Sequence, residues 1–185
     1  MLPTTHQRMK AEEFWQLPEG PPYFQLIDGE LFMSPSPRFR HQQVIGNIFW
    51  QVRAHLHEHR DLGDVVISPS DVELGSKDVY EPDIYFVSRE RSGIFVEQGA
   101  KGAPDLVVEV LSPSTARLDR GPKLRGYAEA GVKEMWLVQL EPAQIEVWSL
   151  TDDRESPSRT LVFGDQLETP LIPGLTLDVR EIFES

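Results

Sequence analysis

Residues 105–112, Asp105-Leu106-Val107-Val108-Glu109-Val110-Leu111-Ser112, constrain the fold of this chain more than any other stretch. The run is apolar and rich in β-branched residues, as a strand covered on both faces is. Glu109 sits in its middle, between Val108 and Val110. An unpaired carboxylate there costs on the order of several kcal/mol, so Glu109 must be paired, protonated or bound to a metal. A second acid has a similar setting upstream, in Glu81-Pro82-Asp83-Ile84-Tyr85-Phe86-Val87.

The rest of the chain supplies elements to cover such a strand. Residues 9–17 have the pattern of a short amphipathic helix, stopped by Pro18-Glu19-Gly20-Pro21-Pro22. Strands are expected over 23–27 and 31–33, about a hairpin at Asp28-Gly29. A rigid turn at 34–37 leads to a long helix over 39–60, whose Val44, Ile48, Val52 and Leu56 mark a buried side at every fourth residue. Further strands are expected over 64–74 (broken at Ser68-Pro69-Ser70), 84–87 and 106–111, with a polar segment running to Gly102. A helix over 119–130 ends at Gly131, and strands follow over 134–140 and 144–150. After a polar loop at 152–158 come short strands over 160–163 and 175–177 and a helical turn over 179–183. The pattern describes one mixed sheet with a helix before it and a crossover helix within it.

Bulk properties narrow the class. With 185 residues, 39% of them hydrophobic, the chain can bury a core as one domain, 1–185. No apolar run approaches a membrane span, and Met1-Leu2-Pro3-Thr4-Thr5-His6 lacks the pattern of a secretory signal, so a cytoplasmic location is expected. The absence of cysteine excludes disulfides, thiolate metal sites and a cysteine nucleophile. The formal net charge of -12 argues against a basic nucleic-acid coat protein. Residues 1–60 carry six basic and six acidic residues, whereas 61–120 and 121–185 each carry six and twelve, so the first third is relatively positive.

Two acids presented by neighbouring strands can share a hard cation such as Mg²⁺ or Mn²⁺, which would polarise a phosphate oxygen and acidify a bound water. Asp83 and Glu109 are the candidate ligands, and the backbone carbonyl of Val110 is a third oxygen. A lysine to stabilise developing charge is not on the same strand, because the residue two positions after Glu109 is Leu111. Lys123 on the next helix is the substitute, with Arg117, Arg120 and Arg125 as replacements. Asp119, Lys123 and Tyr127 repeat every four residues and share one helix face. Pro122 suits a first turn, which would put Lys123 near the helix start.

These residues carry a resemblance. Tyr23-Phe24-Gln25-Leu26-Ile27-Asp28-Gly29-Glu30-Leu31, Ser36-Pro37 leading to His41, Glu81-Pro82-Asp83 and residues 102–114 with their Glu109-Val110-Leu111-Ser112-Pro113-Ser114 stretch resemble the Uma family of "putative restriction endonucleases", within the PD-(D/E)XK nuclease superfamily. Asp119, Lys123, Tyr127 and residues 131–138 continue the likeness over nearly the whole chain. The resemblance implies an α/β, restriction-endonuclease-like mixed β-sheet flanked by helices. By it Asp83 matches the superfamily's first acid and Glu109 its second, and Lys123 fills the place of a lysine moved to the next helix. It also gives Glu30 a role near the metal.

Plainer readings stand beside the catalytic one. Asp83 could cap a strand after Pro82, and Glu109 could form a core ion pair, for example with Arg125. His41 could contact phosphate or assist a metal-bound water, with Arg38 and Arg40 as nucleic-acid contacts, or be an ordinary histidine of a helix start. Asp71 is a further candidate to face the cleft. Of His55, His57 and His59 only the first and last share a helix face, too few for zinc. Ser112 and Ser114 suit a turn and cap, and Trp136 and Trp148 suit core or interface. Three functions therefore compete. The first is a metal-dependent endonuclease acting on DNA as a homodimer. The second is a non-catalytic binding or oligomerising module of the same fold. The third is a metal-dependent hydrolase of RNA or another phosphodiester.

Overall fold

The computed structural model describes residues 8–18, 20–34, 36–151 and 155–184. Residues 1–7, where no secretory signal is expected, lie outside the described residues. So do Glu19, Pro35 of the rigid turn and 152–154 of the polar loop.

The run around Glu109 forms strand β9, Leu106–Val110, every residue of which is buried. Its neighbours are β6, Ile84–Ser88, antiparallel on one side, and β10, Glu134–Gln139, parallel on the other. β11 (Gln144–Ser149), β12 (Arg159–Leu161) and β3 (Gly63–Ile67) complete a six-stranded sheet in the order β12-β11-β10-β9-β6-β3. The alternation of a strand divides β9 between two cores. Leu106, Val108 and Val110 pack with Val44, Ile45, Ile48, Val52 and Leu56 of helix α2, Phe39–Glu58. Val107 and Leu111 face the opposite core, and Glu109, sharing their parity, faces it too.

That second core is roofed by a second sheet. Its order is β2-β1-β5-β4-β8-β7, from β1 (Phe24–Ile27), β2 (Glu30–Met33), β4 (Asp71–Gly75), β5 (Asp78–Tyr80), β7 (Phe95–Val96) and β8 (Gly99–Lys101). The β1–β2 turn is closed by Asp28 and Gly29, both at positive φ (48° and 77°), the conformation a two-residue hairpin requires. A ribbon of β13 (Gln166–Glu168) and β14 (Thr176–Asp178) leads to α5, Val179–Phe183, which packs against α2.

Several expectations are corrected. The single mixed sheet is two six-stranded sheets and a two-stranded ribbon; the chain leaves one large sheet for the other at Ser68-Pro69-Ser70, and the expected strand 64–74 becomes β3 and β4. The polar segment before Gly102 contains a 3₁₀ turn at Arg89–Ile94 and strands β7 and β8. The first helix, α1, spans only Ala11–Phe14; Trp15 turns out of it and donates to Glu73 Oε2 at 2.6 Å.

The crossover from β9 to β10 begins earlier than its pattern implies. It runs as α3 (Ala116–Leu118), a π-helical turn (Asp119–Lys123) and α4 (Leu124–Ala130). Pro122 lies inside the π turn rather than at the helix start, so Lys123 is a mid-helix residue. A π turn bonds over one residue more than an α turn, and this local widening accommodates a proline. Asp105 secures the strand's entry. It is fully buried and accepts from Ser88 N at 2.8 Å, Arg91 at 2.9 Å and Lys133 at 2.7 Å. Burial pushes its carboxyl up, but these donors outweigh it and bring the pKa down to about 2.

Candidate active site

Asp83 and Glu109 reach one place because of strand parity. Asp83 precedes β6 and shares the face of Tyr85 and Val87, the face Glu109 occupies on β9. The two strands are registered Ile84 to Val108, which brings Asp83 beside the end of β9, where its Oδ2 accepts from Val110 N at 2.7 Å. Burial raises the Asp83 carboxyl, opposed by His41 and by the Val110 hydrogen bond.

Glu109 is 4% exposed and meets the crossover helix. Its Oε1 accepts from Tyr127 Oη at 2.7 Å and contacts Lys123 Nζ at 2.5 Å. Lys123, 2% exposed, also lies 3.4 Å from Asp119 Oδ1. Burial drives the Glu109 pKa up to about 8 despite the pull of Lys123, with Asp119 and Asp83 adding to the rise. Burial would lower Lys123, but Glu109 and Asp119 together outweigh it and its pKa is raised. The ammonium therefore stays charged, and Arg125 is not the partner of Glu109.

His41, near the start of α2, closes the third side. Its Nε2 is 2.7 Å from Val110 O and 3.6 Å from Asp83 Oδ2, while its buried Nδ1 has no hydrogen-bond partner. These groups form part of the lining of a cavity of about 900 Å³. Arg38 and Arg40 also line it; Arg40 is tied to Gln43 at 2.8 Å and to the Phe183 carbonyl.

Other candidates are placed differently. Glu30 lies on the exposed hairpin, 3.9 Å from Arg8, and outside the cavity. Asp71 also lies outside the lining; burial and then Glu81 raise its pKa to about 7. His55 contacts the Pro173 carbonyl at 3.0 Å, and Ser112 and Ser114 bond each other at 2.9 Å in the turn before α3. Trp136 is core, its Nε1 donating to Glu134. Glu81 is a site residue that sequence reasoning did not single out. It lines the cavity, accepts from Ser34 Oγ at 3.3 Å, and has its carboxyl raised by burial. Its signal was parity, since it stands two positions before Asp83.

The donor set for a cation is small. Among the described residues no three His, Asp or Glu side chains converge as a metal-binding group. The oxygens on offer are the carboxylates of Asp83 and Glu109 and the carbonyl of Val110, which has a second lone pair beside its His41 contact. Buried Glu109 and half-buried Asp83, both with carboxyl pKa values raised by desolvation, are a hard-oxygen environment that suits a divalent ion.

Residues 11–180 match the family model Uma2, described as "Putative restriction endonuclease". The chain belongs to the Uma2 family. An uncharacterized protein of Synechocystis sp. strain PCC 6803 is 33% identical to this Uma2 member over 132 residues. That match covers 68% of the chain and 66%, just under two thirds, of the relative. The crystal structure of a "putative nuclease belonging to DUF820" from Anabaena variabilis ATCC 29413 superposes with a TM-score of 0.76 at 19% identity. It covers 95% of this chain and 97% of that one, so the two share the fold. No helix among the described residues is long and apolar enough to cross a membrane.

Proposed function

We propose that this Uma2 protein is a metal-dependent nuclease that hydrolyses phosphodiester bonds of DNA. The observation that carries the reading is the convergence of Asp83, Glu109 and Lys123, from three separate elements, at one cavity. Asp83, Glu109 and the Val110 carbonyl would hold Mg²⁺ or Mn²⁺. Such an ion, when bound, supplies Lewis-acid polarisation of the phosphate and a water of lowered pKa.

The chain's own groups do the positioning. Tyr127 and Lys123 both engage Glu109 Oε1, which orients the carboxylate. The Val110 N–H holds Asp83 by one oxygen in the same way. His41 fixes the Val110 carbonyl and stands beside Asp83, keeping both in register. Lys123 offers a permanent positive charge to a phosphate entering the cavity.

The test is cleavage of a panel of DNA substrates with Mg²⁺ or Mn²⁺. Asp83→Ala and Glu109→Ala are expected to fall to background, and Lys123→Ala to lose about 10²–10³-fold. Full metal-dependent cleavage by either acid variant would sink the proposal. A non-catalytic binding module is favoured instead by two observations, the net charge of -12 and Leu111 in place of a strand lysine. Its mark would be no metal affinity in any variant. Cleavage of RNA with DNA left intact would move the substrate and keep the site.

A further inference from the structure

We propose that the cavity takes an unpaired polynucleotide strand rather than an intact duplex. The inference rests on the nuclease reading for the place where the phosphate goes.

Depth is the first ground. Glu109 is 4% exposed and the Asp83 side chain 17%, so a scissile phosphate must enter the cavity to meet them. A volume of about 900 Å³ lies within the range of roughly 300–1,000 Å³ that encloses a small ligand. It accommodates a nucleotide and its neighbour. A duplex, whose major groove alone is about 12 Å wide, would have to seat a whole stacked helix at the opening. An unpaired strand bends its backbone inward and turns its bases aside.

The wall provides somewhere for a base to go. Tyr23, Gln25 and Ile27, alternate residues at and along β1, line the cavity. Tyr23 is 46% exposed, an aromatic ring held at the cavity wall. Exposed aromatics beside a phosphate path are how proteins grip single strands without reading sequence.

Charge is the third ground. Four cations line the cavity, and three are already engaged. Lys123 pairs with Glu109 and Asp119, Arg120 with Glu146 at 2.5 Å, and Arg40 with Gln43 and the Phe183 carbonyl. Arg38 alone has no side-chain partner among the described residues. Duplex binding draws its affinity from many phosphate contacts, whereas stacking with one free guanidinium suits a strand. Such a substrate needs one site per molecule and no two-fold pairing.

The test is fluorescence anisotropy of the full chain with three 5′-labelled probes in EDTA: a 20-nucleotide oligo(dT), a 20-nucleotide oligo(U) and a blunt 20-base-pair duplex. At least one single strand is expected to bind tenfold or more tighter than the duplex. Tyr23→Ala is expected to weaken that strand by about 5- to 100-fold, and Tyr23→Phe to restore it within about twofold. Thermal melts of both variants check the fold, and Arg38→Ala gives a second, independent loss. Equal or tighter duplex binding, or strand binding indifferent to both Tyr23→Ala and Arg38→Ala, overturns the inference. The same probes with Mg²⁺ or Mn²⁺ separate it from the nuclease reading. A duplex that is preferred and cut leaves the nuclease and removes the strand preference. A single strand that is preferred but never cut does the reverse, and no binding by any probe removes both. The oligo(dT) and oligo(U) arms tell DNA from RNA.

Discussion

At the scale of single residues, Glu109 is where the chain has accepted an unfavourable burial. Its pKa rises from an ordinary 4.5 to about 8, so the folded state holds a proton that the unfolded state releases as pH climbs between those values. The sign follows from linkage: this group erodes stability progressively from about pH 4.5 to pH 8. In the proposed metal site a divalent ion would replace that proton and compete with it, so metal binding should strengthen over the same range. Millimolar Mn²⁺ is therefore expected to raise the melting temperature more at pH 8 than at pH 5.5. Glu109→Gln, which cannot offer a carboxylate, should lose most of the gain. Scanning fluorimetry at both pH values checks this, and an equal gain in the variant would place the ion elsewhere.

At the scale of elements, the crossover helix is the positioning device. Its π turn sets Asp119 and Lys123, and the α4 turn that follows sets Tyr127, so one helix delivers the lysine and the tyrosine to Glu109. Gly126 is what lets α4 lie so close to the second sheet. A Cβ at this position would overlap the Tyr80 hydroxyl, which is itself held by Asp78 at 2.9 Å. Helix propensity alone favours Gly126→Ala by about 1 kcal/mol. The overlap is expected to outweigh that gain and leave the variant about 1–2 kcal/mol less stable than wild type. Urea denaturation reads the balance, and a stabilised variant would mean that Tyr80 yields freely.

At the scale of the whole molecule, charge governs how a polyanion is met. A net charge of -12 repels nucleic acid at long range, and one cavity-lining cation, Arg38, has no side-chain partner among the described residues. Single-strand binding releases about 0.7 counterions per phosphate contact, so log Kd against log salt is expected to have a slope of only about 1 to 2 in magnitude. A titration over several salt concentrations measures it. A steep slope would reveal a basic path that the fold does not display.

Elements whose signal is local follow from the order of residues alone. The every-fourth-residue pattern of Val44, Ile48, Val52 and Leu56 sufficed for α2. The β-branched run sufficed for β9, the Asp28-Gly29 turn for the hairpin, and the spacing of Asp119, Lys123 and Tyr127 for a shared face. A carboxylate in a buried run singles out Glu109 from the sequence alone. Features that depend on which distant strands pair arise only in the closed fold. It split the chain into two sheets at Ser68-Pro69-Ser70, chose Lys123 over Arg125, tied Asp83 to the Val110 N–H, left Glu30 outside the cavity and brought Glu81 in. Periodicity assigns a side chain to a face of its own element, because that depends only on neighbours along the chain. What the face meets depends on contacts between residues tens of positions apart, and those exist only once the sheets have closed over the helix.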